Sequence, residues 1–230
     1  EDWQVSNSYF ITGTDTGIGK TLVSAALIHA LQNQGLRVAA MKPVASGCFE
    51  TAEGRRNDDA DQLLAAANTS ADYDLACPYR LLSPIAPHLA AAEENLRISV
   101  AHIMQSFEQL QSLADATVVE GVGGWQVPLN ERYDMPDLAR QMELGVVIVV
   151  VGRLGCINHA LLTAQAILAS GLAVAGWVFN QVDPEMLQVA EVKETLRARM
   201  PGPLIADIPW QDELDPVKLA RVFNLPSIKS

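Results

Sequence analysis

Positive charge is scarce in this sequence: 16 lysines and arginines stand against 27 aspartates and glutamates, which gives a formal net charge of −11. Proteins that bind nucleic acid or anionic membranes through electrostatics need clusters of Lys and Arg against the phosphate groups. The composition therefore predicts that neither nucleic acid nor a membrane surface is the main partner. Any anionic ligand has to be bound by a few basic side chains in one place.

Cysteine is equally sparse, and Cys48, Cys77 and Cys156 are far apart in the sequence and form no CxxC pair. An odd number of scattered cysteines favours reduced thiols over a disulfide framework or a cysteine-ligated metal. The sequence also contains no uninterrupted apolar run that approaches the roughly 18 residues needed for a membrane-spanning helix. Residues 1–4 are acidic and lack the basic residues that begin a secretory signal peptide. We expect a soluble, cytoplasmic protein.

What the sequence does contain is a regular alternation of two patterns. Short runs rich in β-branched residues predict strands at 9–12, 38–41, 117–120, 146–151, 174–179 and 204–206. Helical periodicity predicts helices at 21–33, 58–67, 100–114, 135–142, 156–170 and 186–199. The strand at 146–151 is continuously apolar, which is typical of a parallel strand covered on both faces. We predict a single α/β domain over 1–230, with a mainly parallel central sheet and helices on both faces.

A glycine-rich segment separates the first predicted strand from the first predicted helix. Glycines let backbone N–H groups close around phosphate oxygens, the lysine reaches the β- and γ-phosphates, and the threonine hydroxyl can ligate Mg²⁺. The N-terminus of the following helix favours the same anion. The segment predicts a P-loop NTPase type of fold, in which a nucleoside triphosphate contacts Gly13, Thr14, Asp15, Thr16, Gly17, Ile18, Gly19, Lys20 and Thr21. The consensus glycine falls on Thr14, so an ordinary glycine-rich turn is the alternative.

Charged side chains also follow the next strands. The loop at 42–47 brings a second cation, Lys42, to the sheet edge where ligands bind in parallel α/β folds. A solvated lysine at a strand end is the alternative. Glu120 ends the strand at 117–120 and is followed by three glycines within 121–124, as in a Walker B arrangement that holds Mg²⁺. Asp59 then becomes a second carboxylate ligand, although its acidic neighbourhood could simply complement a helix dipole.

Six motifs occur in an order that is itself informative. They are Gly-Thr-Asp-Thr-x-Ile-Gly-Lys-Thr at 13–21, Lys-Pro-Val-Ala-Ser-Gly at 42–47, Val-Glu-Gly-x-Gly-Gly-Trp at 119–125, Gly-Cys-Ile-Asn-His-Ala-Leu-Leu-Thr-Ala-Gln at 155–165, Gly-Trp-Val-Phe-Asn at 176–180 and Ile-Pro-Trp at 208–210. Together they resemble the dethiobiotin synthetase family over about residues 8–210. Gly17 and Arg153 depart from the family pattern without touching the chemistry that it implies.

The resemblance implies an ATP- and Mg²⁺-dependent ligase. In that family 7,8-diaminopelargonate takes up CO₂ as a carbamate, ATP phosphorylates the carbamate, and the neighbouring amine closes the ring of dethiobiotin. The resemblance assigns catalysis to Lys20, Lys42 and Thr16, and Mg²⁺ binding to Thr21, Asp59 and Glu120. It adds Asn180 and Pro209 to the phosphate loop as ATP contacts. The substrate contacts that it implies are Thr16, Lys42, Ser46, Gly123, Gly155, Cys156, Ile157 and Asn158.

The segment 154–182 contains no Asp, Glu, Lys or Arg, although it includes a whole predicted helix. A helix that covers one side of a sheet normally has a charged outer face, so we expect this one to be buried on both sides. A central helix inside one large core is one explanation, and self-association is the other. The resemblance implies a homodimer with a shared active site, in which segment 155–158 of each subunit holds the substrate carboxylate of the other.

Switch ATPases of the partitioning and nitrogenase-iron-protein type are the alternative function, because they have the same kind of fold and bind protein partners. They usually carry an additional lysine early in the phosphate loop, where this sequence has Gly13-Thr14-Asp15. An amide-forming ligase of related fold would need a glutaminase domain, for which 230 residues leave no room. The sequence therefore favours a ligase that acts on a small molecule.

Overall fold

The computed structural model describes residues 7–226 of the chain. Its strands are β1 (Tyr9–Gly13), β2 (Val38–Met41), β3 (Val44–Ser46), β4 (Phe49–Thr51), β5 (Gly54–Arg56), β6 (Tyr79–Leu81), β7 (Ala116–Glu120), β8 (Gly145–Gly152), β9 (Val174–Gln181) and β10 (Leu204–Ile208). Its helices are α1 (Lys20–Gln32), α2 (Asp58–Ala66), α3 (Tyr73–Ala76), α4 (Pro87–Glu93), α5 (Val100–Ser112), α6 (Met135–Met142), α7 (Cys156–Ala169), α8 (Val189–Arg199) and α9 (Pro216–Leu219). In this part of the chain no helix is both long and apolar enough to cross a membrane.

Six strands among residues 7–226 form one sheet, in the order β10, β9, β8, β1, β7 and β2. Each neighbouring pair in this sheet is parallel, which confirms the predicted α/β fold. Strand β1 lies between β7 and β8, at the point where the strand order changes direction. Ligands of open parallel sheets bind beyond the carboxyl ends of the strands at such a point, and the phosphate loop starts there.

Helices cover both faces of the sheet. Successive residues of a strand point to opposite faces, and the central strands accordingly feed two hydrophobic cores. Phe10 and Val146 belong to the core that includes residues of α4, α5, α6, α7 and α8. Ile11 and Val147 belong to the core that includes residues of α1, α2 and α9. The predicted arrangement with helices on both faces is therefore confirmed.

Two local differences from the sequence-based expectations concern a loop and the start of a helix. The prediction of a loop at 42–47 is wrong for Val44–Ser46, which form β3 and pair in parallel with β6. A three-residue strand is too short to show a periodic pattern. Helix α8 begins at Val189 instead of residue 186, because Gln188 has a φ of 55°, a left-handed conformation that ends or precedes a helix.

Helix α7 is not enclosed in a single core. Its buried residues lie on one face and are Cys156, Ala160, Ala164 and Ile167. Leu162 and Leu168 on the outer side are about half exposed, and Leu154, which precedes the helix, is 98% exposed. The central-helix explanation of the uncharged segment is therefore wrong for this chain. What remains is an uncharged outer surface, on which Leu162 and Leu168 lie among the exposed polar residues Asn158, His159 and Gln165.

Candidate active site

The phosphate loop joins β1 to α1 in a tightly packed conformation. Gly17 and Gly19 have φ values of 69° and 85°, which residues with a side chain rarely adopt. A Cβ at Gly13 would lie 2.6 Å from Cδ1 of Ile18, and one at Gly19 would lie 2.5 Å from Nδ2 of Asn180. Because Gly19 is the N-cap of α1 and offers no side-chain cap, the first N–H groups of the helix suit an anion.

Hydrogen bonds fix the base of the loop to the neighbouring strand β8 and its exit. The N–H of Thr14 donates to the carbonyl oxygen of Val149 at 3.1 Å. The Asp15 carboxylate accepts from the N–H of Thr16 at 2.8 Å and forms an ion pair with Arg153 at 2.5 Å. The hydrogen bond from Thr16 and the charge of Arg153 lower the pKa of Asp15. Arg153 thus ties the phosphate loop to the segment before α7.

Lys20 lies beneath the loop, and only 7% of its surface is exposed. Its Nζ donates to the carbonyl oxygen of Asp15 at 3.0 Å. Burial lowers the pKa of Lys20, while the carboxylates of Glu120 and Asp59 partly offset that effect. The ammonium group is therefore held against the loop at which the sequence predicts phosphate binding.

Three separate elements bring the predicted metal ligands together. Thr21 lies in the first turn of α1, Asp59 in the first turn of α2, and Glu120 is the last residue of β7. The hydroxyl oxygen of Thr21 is 2.8 Å from Oδ1 of Asp59 and 3.1 Å from Oε1 of Glu120. The side chain of Asn57 caps α2 by accepting from the N–H groups of Asp59 and Ala60. This cap fixes the start of the helix, and with it the position of Asp59.

Lys42 lies in the same cluster, directly after β2. Its Nζ is 2.5 Å from Oε1 of Glu120 and 3.0 Å from Oδ2 of Asp59, and it donates to the carbonyl oxygen of Gly121 at 3.4 Å. Burial acts to lower the pKa of Lys42, but the two carboxylates together outweigh burial, so the pKa is raised. For Asp59 burial acts in the opposite direction, and Lys42 and Thr21 outweigh it, so its pKa is lowered. Both groups carry their charges at neutral pH.

The donor set of this cluster fits a magnesium ion. Mg²⁺ prefers oxygen ligands, and in phosphoryl-transfer sites it takes one or two carboxylates together with substrate phosphates and waters. Oε2 of Glu120 is buried and has no hydrogen-bond partner among residues 7–226. Within the same residues, no group of three or more His, Cys, Asp or Glu side chains is placed to hold a metal. The cluster therefore offers two carboxylates and a hydroxyl as oxygen ligands.

A cavity of about 780 Å³ opens beside the cluster. The predicted site residues that line it are Thr16, Gly17, Ile18, Gly19, Lys20, Thr21, Lys42, Ser46, Asp59, Glu120 and Gly123. Oγ of Ser46 is a buried polar atom that lacks a partner in the described part of the chain. The structure thus brings two lysines, two carboxylates and an unsatisfied hydroxyl to one cavity.

The two predicted ATP contacts outside the loop lie at the ends of β9 and β10. Asn180 is in register with Ile208, and Pro209 follows directly and is exposed. Nδ2 of Asn180 donates to the carbonyl oxygen of Ile18 at 2.8 Å. Oδ1 of the same amide is buried, and no partner for it lies within residues 7–226. The amide therefore supports the loop and retains an acceptor.

The predicted carboxylate anchor at 155–158 lies elsewhere. Gly155, Cys156 and Ile157 line a second cavity of about 300 Å³, and Asn158 is exposed on α7. These residues are not part of the lining of the larger cavity. Within one chain, this segment therefore does not border the cavity at the phosphate loop, although Arg153 just before it pairs with Asp15.

Comparison with known proteins identifies the family. Residues 7–218 match a family model described as an AAA domain. The chain is 49% identical over 219 residues to the ATP-dependent dethiobiotin synthetase BioD of Xanthomonas axonopodis pv. citri, which covers 95% of this chain and 98% of that protein. The protein of the same name from Pseudomonas aeruginosa strain UCBPP-PA14 is 48% identical, with 95% and 96% covered. The chain belongs to the dethiobiotin synthetase family.

Solved structures place this dethiobiotin synthetase family member in a wider fold. A chain of the MinC:MinD cell division protein complex from Aquifex aeolicus matches with a TM-score of 0.56 and 18% identity, covering 93% of this chain and 84% of that one. A ParA family ATPase from Chlorobium tepidum matches with a TM-score of 0.54 and 13% identity, covering 90% and 86%. At this identity the likeness shows the fold alone, and it confirms the predicted P-loop NTPase type.

Part of the cavity wall in this member of the dethiobiotin synthetase family is missing from the sequence-based prediction. The lining residues outside the motifs are Leu22, Gln62, Pro84, Ile85, Ala86, Pro87 and Val127. Val122 and Gly124 also line the cavity, and they lie within the motif at 119–125 but are not among the predicted site residues. The segment 84–87 comes close because residue 47 is a glycine with a φ of 73°, where a Cβ would lie 3.2 Å from Cβ of Pro84. The paired prolines are a signal of a rigid turn, but they do not indicate which surface the turn covers.

Proposed function

We propose that this protein catalyses the ATP-dependent formation of dethiobiotin from 7,8-diaminopelargonate and CO₂. The observation that carries this proposal is the convergence of Lys20 and Lys42 with Asp59 and Glu120 in one cavity. Attack of a carbamate on the γ-phosphate brings two anions together, and such chemistry is accelerated mainly by positioning and by fixed positive charge. Membership of the dethiobiotin synthetase family supplies the substrate class.

The proposed reaction needs no nucleophilic side chain. An amine of the substrate adds to CO₂ and loses a proton to form a carbamate, whose oxygen attacks the γ-phosphorus as ADP departs. The neighbouring amine then attacks the carbon of the carbamic–phosphoric anhydride and loses a proton, and phosphate leaves as the ring closes. We assign Lys20 to the phosphates, and Lys42, Ser46, Thr16 and Gly123 to the carbamate and diamine. Bound at Thr21, Asp59 and Glu120, Mg²⁺ would supply positive charge next to the phosphates.

Asn180 and Pro209 are the proposed contacts of the adenine ring. The buried Oδ1 of Asn180 suits the exocyclic amine of adenine, because it is an acceptor that no described residue satisfies. Its Nδ2 is engaged by the phosphate loop, which would fix the amide in the orientation that presents the oxygen. Pro209 directly follows Ile208, the last residue of β10, which pairs with Asn180. Its ring would offer the adenine a flat apolar surface.

The proposed reaction is tested by its product. Pure protein is incubated with ATP, Mg²⁺, bicarbonate and 7,8-diaminopelargonate, and the product is identified by mass. We expect dethiobiotin, with phosphate release only when both diamine and bicarbonate are present. A switch ATPase, the alternative function, would instead release phosphate in response to a macromolecular partner, and dethiobiotin would not form.

The first mutational prediction concerns the metal ligands. Glu120→Gln and Asp59→Asn preserve shape but remove charge, so each is expected to raise the Mg²⁺ concentration for half-maximal rate by about tenfold or more. Steady-state rates across a Mg²⁺ titration measure this effect. Asp61→Asn is the matched control, because Asp61 lies on the same helix but pairs with Arg56 at 3.0 Å. An unchanged Mg²⁺ dependence in both test variants would remove these residues from the metal site.

The second prediction separates Lys42 from ATP binding. Lys42→Gln is expected to reduce kcat by about a hundredfold, while calorimetry shows ATP affinity within about threefold of the wild type. The reason is that Lys42 follows β2 and not the phosphate loop. Lys42→Arg, which keeps the charge, controls for loss of fold around the buried Glu120 carboxylate. A fall in ATP affinity equal to the fall in kcat would contradict the assignment.

We also propose that the protein acts as a homodimer of single-domain subunits with shared active sites. Exposed Leu154, Leu162 and Leu168 support association. Segment 155–158, whose Gly155 is the N-cap of α7, would hold the substrate carboxylate of the other subunit. A cytoplasmic setting is supported by the three cysteines, all of which are free and buried.

A further inference from the structure

The Lys42 ammonium occupies the space between the two carboxylates assigned to the metal. Its Nζ lies 2.5 Å from Oε1 of Glu120 and 3.0 Å from Oδ2 of Asp59. The Lys42 side chain is 4% exposed and that of Glu120 is fully buried. A buried carboxylate needs a positive partner, and here a residue of the chain supplies it.

A divalent ion that binds Oε1 of Glu120, the oxygen that also contacts the Thr21 hydroxyl, would share that oxygen with Lys42. Because Mg²⁺ binds oxygen at about 2.1 Å, a metal on Oε1 of Glu120 would lie at most about 4.6 Å from the present position of Nζ, the sum of that length and the 2.5 Å contact. Two cations at this separation in a buried site repel each other strongly. Lys42 and the metal therefore cannot both bind these carboxylates as tightly as either would alone.

The cavity offers the displaced ammonium another place. Lys42 lines it together with Ser46, whose buried Oγ lacks a partner in the described part of the chain. The unbranched lysine side chain has four rotatable bonds, so other rotamers are available to its ammonium group. In that position the ammonium would face the carbamate and not the carboxylates.

We propose that Lys42 is an internal cation that the divalent metal displaces, so that metal binding at Asp59 and Glu120 releases the ammonium into the cavity to receive the substrate. This inference rests on the metal site of the proposed function. It makes Lys42 the residue through which metal binding prepares the substrate position. It also means that the metal competes with a group of the chain itself.

The first test measures binding of Mn²⁺ alone to nucleotide-free protein by electron paramagnetic resonance. Lys42→Gln removes the competitor, so its Mn²⁺ affinity is expected to exceed that of the wild type by at least about tenfold. Lys42→Arg retains the competitor and is expected to stay within about threefold of the wild type. An equal or weaker affinity in folded Lys42→Gln, or no binding to either protein, would overturn the proposal.

The second test uses wild-type protein and so does not depend on the folding of a variant. Amine-reactive labelling followed by peptide mass spectrometry reports the accessibility of each lysine. Lys42 is expected to be protected without metal and to label at least about tenfold faster at saturating Mn²⁺. Lys193, which pairs with Asp207 at 2.7 Å, is the internal control and should not change. Continued protection of Lys42 at saturating Mn²⁺ contradicts displacement.

Glu120→Gln separates the failure of this inference from that of the metal site. If Mn²⁺ binding is insensitive to Glu120→Gln, the metal site is misassigned. The proposed metal site and the displacement of Lys42 are then both refuted. If Glu120→Gln abolishes binding while Lys42→Gln gains nothing, the metal site stands and the exchange alone is refuted.

Discussion

Replacing Lys20 with alanine is expected to lower kcat by about a hundredfold or more, the effect typical of deleting one fixed group that stabilises charge in the transition state. The ammonium is already positioned, because its Nζ donates to the carbonyl oxygen of Asp15 and the side chain is largely buried. The fold is expected to survive, since Lys42 still neutralises the adjoining carboxylates. Turnover by product mass, together with thermal unfolding, measures both effects.

Lys218→Ala provides the control for Lys20→Ala. Lys218 has an 82% exposed side chain on the short helix α9, so its loss should leave kcat unchanged. Turnover of folded Lys20→Ala equal to that of the control would remove the phosphate loop from the catalytic site.

Two inactive variants are expected to restore activity when mixed. Lys20→Ala disables the phosphate loop of its own subunit, and Gly155→Glu places a carboxylate at the segment assigned to the substrate carboxylate of the other subunit. Position 155 has room for a side chain among the described residues, although its φ of 94° strains any residue but glycine. After free exchange of equal amounts, half of the dimers are mixed and each has one intact site, so we expect about a quarter of wild-type activity.

Mass spectrometry must first establish that the subunits exchange. Activity is then compared before and after the two variants are mixed. As the control, each variant alone is taken through the same exchange conditions and should stay inactive. Mixed dimers without recovered turnover would refute the shared site. A monomer at assay concentration would remove the premise of a dimer.

The sequence predicts the fold well because its central strands are buried on both faces. Runs such as 146–151 are apolar without interruption, and the six predicted strands all occur in the sheet. The short strands β3 and β6 are not predictable in the same way, since their positions depend on pairing with a distant segment and not on a local pattern. Helix boundaries agree to within one or two residues except at Gln188, where a single left-handed residue delays α8.

The candidate site is predictable where chemistry dictates the residue type. Lys20, Thr21 and Glu120 belong to motifs whose spacing follows from phosphate and metal geometry, and the structure brings them to one cavity. The contact of Lys42 with Glu120 is not predictable, because it depends on which partner a long side chain selects. The pairing of Asp15 with Arg153 joins residues 138 positions apart, and no local signal links them.

The position of β1 in the sheet has a consequence for how the chain is made. This strand is among the earliest described residues, yet its two neighbours begin at Ala116 and Gly145. Synthesis proceeds from the N-terminus, so both edges of β1 can be paired only after β7 and β8 have been synthesised. Contacts between residues so far apart in sequence make folding slow, and unpaired strand edges expose a nascent chain to aggregation. Protection by a chaperone at the ribosome would therefore matter most in the interval before β8 emerges.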